Sequence, residues 1–217
     1  MIINCKDIRA EARRSLKGFW KVIILISLVY KLVDIVGDFI PKSSTLVIVL
    51  MSVISTIYGS FFLFGYTSVI LKLVRGQNIK LKDMLSGRFL KALAINVVVG
   101  IYTILWSLLL IIPGIIAAIK YSMTFYVWVD NPNIGINEAI SRSTEMTDGH
   151  IMDIFTLGLS FIGWIALIFV PAAIVGYWHQ QYFTIIASVG MVFLTPYIDL
   201  AMGTLYTKLA EEQKTEI

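Results

Sequence analysis

The sequence predicts an all-α protein, a polytopic bundle of about six transmembrane helices with short interfacial helices on one side. Three observations carry this prediction. Residues 92–129 form an apolar run broken only by Lys120 and the pair Pro113-Gly114. As one helix it would measure ~57 Å at ~1.5 Å per residue, too long for a ~30 Å hydrocarbon core, so the chain must cross and turn back. Composition agrees, with 58% hydrophobic and 15% charged residues, against about 25% charged in soluble domains. The basic residues, finally, are grouped between apolar segments rather than spread along the chain.

The elements follow in order. Residues 1–18 read as an amphipathic lead-in, in which Ile8, Ala12 and Leu16 share a helical face among basic residues. Such a segment lies along a membrane surface or forms a solvated entry to the first span. Spans are expected at about 19–40, 45–71, 92–112, 115–130, 154–176 and 182–206. Residues 45–71 and 154–178 contain no Asp, Glu, Lys or Arg. The segment 115–130 is short, so a re-entrant or tilted path competes with a full crossing. His179-Gln180-Gln181 supplies a polar turn within 154–207, with Tyr177, Trp178 and Tyr182 as interface aromatics. Residues 79–91 and 135–147 read as interfacial helices, the latter beginning after the turn Asn131-Pro132-Asn133. The whole chain, 1–217, reads as one integral membrane domain.

Orientation is set by Lys and Arg. Lys6, Arg9, Arg13, Arg14, Lys17 and Lys21 precede the first span, or open it. Lys72, Arg75, Lys80, Lys82, Arg88 and Lys91 follow the second, and Arg142, Lys208 and Lys214 lie further on. These are fifteen of 18 basic residues on one side, leaving Lys42 in an opposite loop and Lys31 and Lys120 within spans. The positive-inside rule then places both termini in the cytoplasm of a multi-pass plasma-membrane protein. The net charge of +4 reflects this placement and not a nucleic-acid partner. Cys5 is the single cysteine, which rules out an internal disulfide. No apolar stretch precedes it, so the first span is expected to serve as its own uncleaved insertion signal.

The string IIPGIIAAIKYSMTFYVWVDNP, then EAISRSTEMTDGH and LSFIGW, resembles a bacterial integral-membrane family known as domain of unknown function 975. The opening ARRSLKGFW is similar to that family's start, so the likeness runs from about Ile8 to the last span. The stretch Asp148-Gly149-His150 is more acidic than the Lys-Gly-His type usual there. The resemblance implies a six-span fold in a bacterial membrane. It carries no agreed activity and transfers no residue roles.

No catalytic set is expected. His-Glu-x-x-His, Gly-x-Ser-x-Gly, P-loop and dinucleotide motifs are missing from the sequence. His150 and His179 fall on opposite sides of the expected topology and cannot share a metal. No metal or other cofactor is called for. The polar residues within spans are the better lead. Ser27, Lys31, Asp34 and Asp38 recur along one helical face, and Lys31 can pair with Asp34. Lys31, Asp34 and Lys120 are therefore the candidate substrate-binding residues of an outward polar cavity. The competing reading is a satisfied Lys31–Asp34 pair, with Lys120 reaching for the interface. Asp199 is the candidate ion or proton site; its plain alternative is a hydrogen bond from Tyr66 or Thr67. Pro113, Gly114, Pro171 and Pro196 are candidate hinges.

Gly114, Ala118 and Ser122, like Ser55 and Gly59, form small-residue stripes that let helices approach, within the bundle or in a homo-oligomer. FLFGYTSVILKL (62–73) and FLTPYIDLAMGTLYTKL (193–209) share a faint repeat. The expected function is a non-enzymatic, permease-like or accessory component. It would bind or move a small amphipathic or peptidic substrate, with protection against membrane-active peptides as one outcome. The alternatives are a scaffold or regulatory subunit docking a protein partner through the cytoplasmic helices, and an intramembrane enzyme acting on lipids. The lipid bilayer is the expected environment.

Overall fold

The computed structural model describes residues 4–38, 40, 44–85, 88–177 and 180–215, with the side chains at 34, 38, 180, 181, 214 and 215 outside the description. Every regular element among them is helical: α1 (Cys5–Leu16), α2 (Trp20–Asp38), α3 (Thr45–Val74), a 3-10 turn (Leu81–Leu85), α4 (Phe89–Leu109), α5 (Ile111–Tyr121), α6 (Thr124–Asp130), α7 (Ile136–Thr147), α8 (Ile151–Leu159), α9 (Ile162–Gly176) and α10 (Gln180–Thr215). Five stretches are long and apolar enough to cross a membrane: Thr45–Val74, Phe89–Leu109, Ile111–Asp130, Ile151–Gly176 and Tyr182–Gln213. The protein is an all-α membrane bundle. The sixth expected segment, 19–40, does form a helix. It stands apart from the five because α2 carries Lys21, Lys31, Asp34 and Asp38 within 19 residues.

Three hairpins turn at one end of the bundle, between α2 and α3, at Leu110, and between α9 and α10. At the other end, Arg75 meets Asp130, Lys208 meets Glu11, and His150 meets Glu212. The long helices change character along their length. On α3, Leu46, Leu50, Ile54 and Phe61 are exposed, whereas Tyr66, Val69, Ile70 and Leu73 are buried. On α10, Tyr182, Val189 and Phe193 are exposed, whereas Tyr197, Leu200, Leu205 and Leu209 are buried. At 30 and 36 residues these helices measure ~45 and ~54 Å, more than a ~30 Å hydrocarbon core accepts. The half toward the hairpins turns its apolar side chains outward to lipid. The half toward the basic end is packed like a soluble core by α1, α6, α7 and α8.

Helix α1 shows how that packing works. Asn4 caps it by accepting the Lys6 N–H at 3.0 Å. Ile8, Ala12 and Leu16 are almost fully buried in the same cluster as Leu205, Tyr206 and Leu209. The expected membrane-lying or solvated lead-in is thus corrected: its apolar face is covered by the protein. The 3-10 turn docks similarly. A Cβ on Gly65 would lie 2.0 Å from the Met84 carbonyl oxygen, so only glycine admits that approach.

Three local expectations shift and a fourth holds. The turn expected at Pro113-Gly114 lies at Leu110, whose backbone is extended (φ −164, ψ 153). Pro113 then occupies the first turn of α5, where no N–H is needed. The expected span 154–176 is interrupted at Ser160-Phe161, where the Arg9 guanidinium donates to the Ser160 carbonyl at 3.2 Å. The expected helix 79–91 resolves into the 3-10 turn and the start of α4, because the Asp83 carboxylate turns back to accept the Lys80 N–H at 2.9 Å. The expected helix 135–147 corresponds to α7. Lys42, Trp178 and His179 lie outside the described residues, as do the side chains of Gln180 and Gln181.

Candidate functional site

Between α2, α3, α5–α6 and α10 lies a half-open cavity of ≈230 Å³, lined by Tyr30, Lys31, Tyr66, Tyr126, Thr195 and Asp199 among others. Helical spacing explains how the residues gather. Tyr66 and Ile70 are one turn apart on α3, as are Thr195 and Asp199 on α10, and Ser122 and Tyr126 bridge α5 to α6. Tyr66 donates its hydroxyl to Asp199 Oδ2 at 2.7 Å, and its ring stacks on Tyr30 with centroids 4.6 Å apart. The Lys31 ammonium lies 5.6 Å from the Tyr30 ring centroid. A cation, a carboxylate and several hydroxyls therefore share one small space within a largely apolar bundle. Ionised side chains at such depth cost about 2.5–3.5 kcal/mol each on insertion scales, so they mark function more often than packing.

From Asp199 a polar seam runs to the basic end. Tyr126 donates to the Asp199 carbonyl at 3.1 Å and stacks on Tyr206 with centroids 5.5 Å apart. Tyr206 in turn donates to Asp130 Oδ2 at 2.9 Å, and the Arg75 guanidinium holds both oxygens of that carboxylate at 2.9 and 2.5 Å. Here a second, wider hollow of ≈730 Å³ opens, lined by Arg75, Asp130, Arg142, Tyr206 and Glu211. Along α10 the two levels are separated by seven residues, ~10 Å at ~1.5 Å per residue.

The expected site residues are only partly gathered. Lys31 and Asp199, expected in separate roles, line one cavity. The hydrogen bond expected from Tyr66 or Thr67 to Asp199 is made by Tyr66. The side chain of Asp34, like that of Asp38, lies outside the described residues. Lys120 lines a different, mainly apolar hollow with Trp106, Pro113 and Tyr121, and reaches Asp148 at 3.8 Å. The Lys120 carbonyl accepts from Ser143 at 2.7 Å, so α7 draws this part of α5 toward the basic end.

Pro171 and Pro196 sit within α9 and α10, each removing one ladder hydrogen bond. At Gly114 a Cβ would lie 2.4 Å from Ser107 Oγ, so the α4–α5 hairpin closes there, whereas Gly59 has open space. His150 bridges Asp153 at 3.1 Å and Glu212 at 3.3 Å, tying α8 to α10. Tyr30, Tyr126 and Tyr206 were missed by sequence reading. Their signal would have been aromatic hydroxyls one helical face from intramembrane charges.

Neither a curated protein nor a solved structure matches the chain. A family model described as protein of unknown function (DUF975) matches residues 1–119 and 107–213. The two matches together span nearly the whole sequence, and the chain belongs to that family.

Proposed function

We propose that the protein is a non-enzymatic, permease-like or accessory component of the plasma membrane, with both termini in the cytoplasm, that binds a small amphipathic or peptidic substrate between Lys31 and Asp199. One observation carries the reading: opposite charges share a ≈230 Å³ hydroxyl-lined cavity inside an apolar bundle. A zwitterion with separated ammonium and carboxylate groups complements that arrangement. Tyr30 offers its ring face to a cation as well. The seam through Tyr126 and Tyr206 gives the cavity a polar route toward the wider hollow at the basic end. Pro196, three residues before Asp199, supplies a place for α10 to flex.

The test is a deletion strain challenged with a cationic, membrane-active peptide and complemented by the full chain. Lys31→Leu and Asp199→Leu are expected to lose protection or peptide binding while reaching wild-type membrane levels. Full complementation by both variants would sink the proposal. A scaffold reading draws on the ≈730 Å³ hollow, where Arg142 and Glu211 stand beside the Arg75–Asp130 pair. Loss of a co-purifying partner on Arg142→Glu, with the cavity variants intact, would favour it.

A further inference from the structure

A separate groove lies on the outer surface of the bundle, apart from the charged cavity. It measures ≈380 Å³ and is lined by Arg13, Trp20, Trp164, Leu167, Phe193 and Tyr197, with Gly190 and Ile168 at its base. A Cβ on Gly190 would lie 2.5 Å from Ile168 Cγ2, so α9 and α10 pinch together there. Trp164 and Phe193 stand on either side of the pinch and remain exposed, at 47% and 50%. The groove walls belong to Ile151–Gly176 and Tyr182–Gln213, two of the stretches apolar enough to cross a membrane. What faces this slot is therefore lipid.

Its head is cationic. Tyr197 donates its hydroxyl to the Arg9 carbonyl at 3.5 Å, which sets the middle of α1 at the Tyr197 level of α10. Arg9 spends its guanidinium on the Ser160 carbonyl. Arg13, one turn on, is exposed and makes no hydrogen bond or ion pair among the described residues. From Tyr197 to Gly190 the slot runs ~10 Å along α10 at ~1.5 Å per residue. A guanidinium without a partner among the described residues thus stands at one end of an apolar slot flanked by Trp20 and Trp164, the residue type that settles at headgroup level.

We propose that this groove seats one anionic phospholipid, its phosphate on the Arg13 guanidinium and an acyl chain between Trp164 and Phe193. The guanidinium fork matches phosphate oxygens in pairs. The nearby Lys17 and Lys21 raise the local potential, which selects a net negative headgroup over a zwitterionic one. The proposal is independent of what occupies the Lys31–Asp199 cavity.

The experiment uses the full chain in a neutral detergent, with lipid retention read by native mass spectrometry and by melting temperature. Phosphatidylglycerol is expected to be retained and to raise the melting temperature, with phosphatidylcholine of the same acyl chains bound much more weakly. Arg13→Gln should weaken phosphatidylglycerol about tenfold, as loss of one charge-assisted contact predicts, and Arg14→Gln should leave it nearly unchanged. Trp164→Ala should weaken phosphatidylglycerol without affecting inorganic phosphate. Equal losses in Arg13→Gln and Arg14→Gln would show diffuse attraction to basic residues and overturn the site. So would equal retention of the two lipids, or inorganic phosphate reproducing the whole Arg13 dependence.

Discussion

The Tyr66–Asp199 hydrogen bond can be measured directly by a double-mutant cycle. Tyr66→Phe retains the ring, and with it the 4.6 Å stack on Tyr30, and removes one hydroxyl. What is lost is a 2.7 Å bond to a carboxylate, made by a tyrosine only 4% exposed. Hydrogen bonds to charged groups contribute about 1.5–3 kcal/mol in proteins. Interhelical bonds in membrane bundles average about 0.6 and reach about 1.7 kcal/mol, because the unfolded helices find other partners in the bilayer. The burial of Tyr66 places this bond at the upper end of the membrane range, about 1–2 kcal/mol. At about 2–4 °C per kcal/mol for a chain of this size, Tyr66→Phe should lower the melting temperature by about 2–8 °C. Asp199→Leu removes the acceptor and strands the hydroxyl. The double variant should therefore be no worse than the poorer single one, leaving a coupling of about 1–2 kcal/mol. Thermal or steric-trap unfolding in detergent reads all four proteins. Effects that add within about 0.3 kcal/mol would show that the two side chains do not meet, and the cavity described here would have no such wall.

Two further predictions concern the packed half. Gly65→Ala should cost about 1–3 kcal/mol, since its Cβ would meet the backbone of Met84, whereas Gly59→Ala on the same helix meets nothing and should be neutral or gain up to about 1 kcal/mol. Melting of the two variants side by side checks this, and equal behaviour would refute the docking of the 3-10 turn. Asp83 is held below its ordinary range, first by the Lys80 N–H and then by Lys72 at 3.2 Å. A depressed carboxylate stabilises above its unfolded pKa near 3.8 and loses that contribution as pH falls through the lower folded value. Protection of the 79–85 segment in hydrogen exchange should therefore weaken below about pH 4, and Asp83→Asn should remove that acid dependence.

Much of the fold was legible because its signals are local. The helical period of Ile8, Ala12 and Leu16 marks α1, and Asn131-Pro132-Asn133 announces the turn before α7. The partner of Asp199 could be named because Tyr66 is a hydroxyl on a neighbouring apolar helix. The sharing of one cavity by Lys31 and Asp199 was not legible, since it depends on how α2 packs against α10 across most of the chain. Hydropathy also treats a lipid-facing leucine and a core leucine alike. Leu50 and Leu71 read as equals on α3, yet the first is exposed and the second 2% exposed. Lys120 misled for the same reason: its depth in a span says nothing about Asp148 arriving from another loop.

α10 is one continuous helix of 36 residues that joins a lipid-facing stretch to the packed half. Its stretch from Tyr182 to Phe193 exposes Tyr182, Val189 and Phe193 while packing on α9 at Gly190, whereas the half beyond Leu194 lies in the core that α1 and α3 share. Pro196 lies just past that boundary, with Asp199 one turn further on. One rod therefore carries both a surface that meets acyl chains and a wall of the charged chamber.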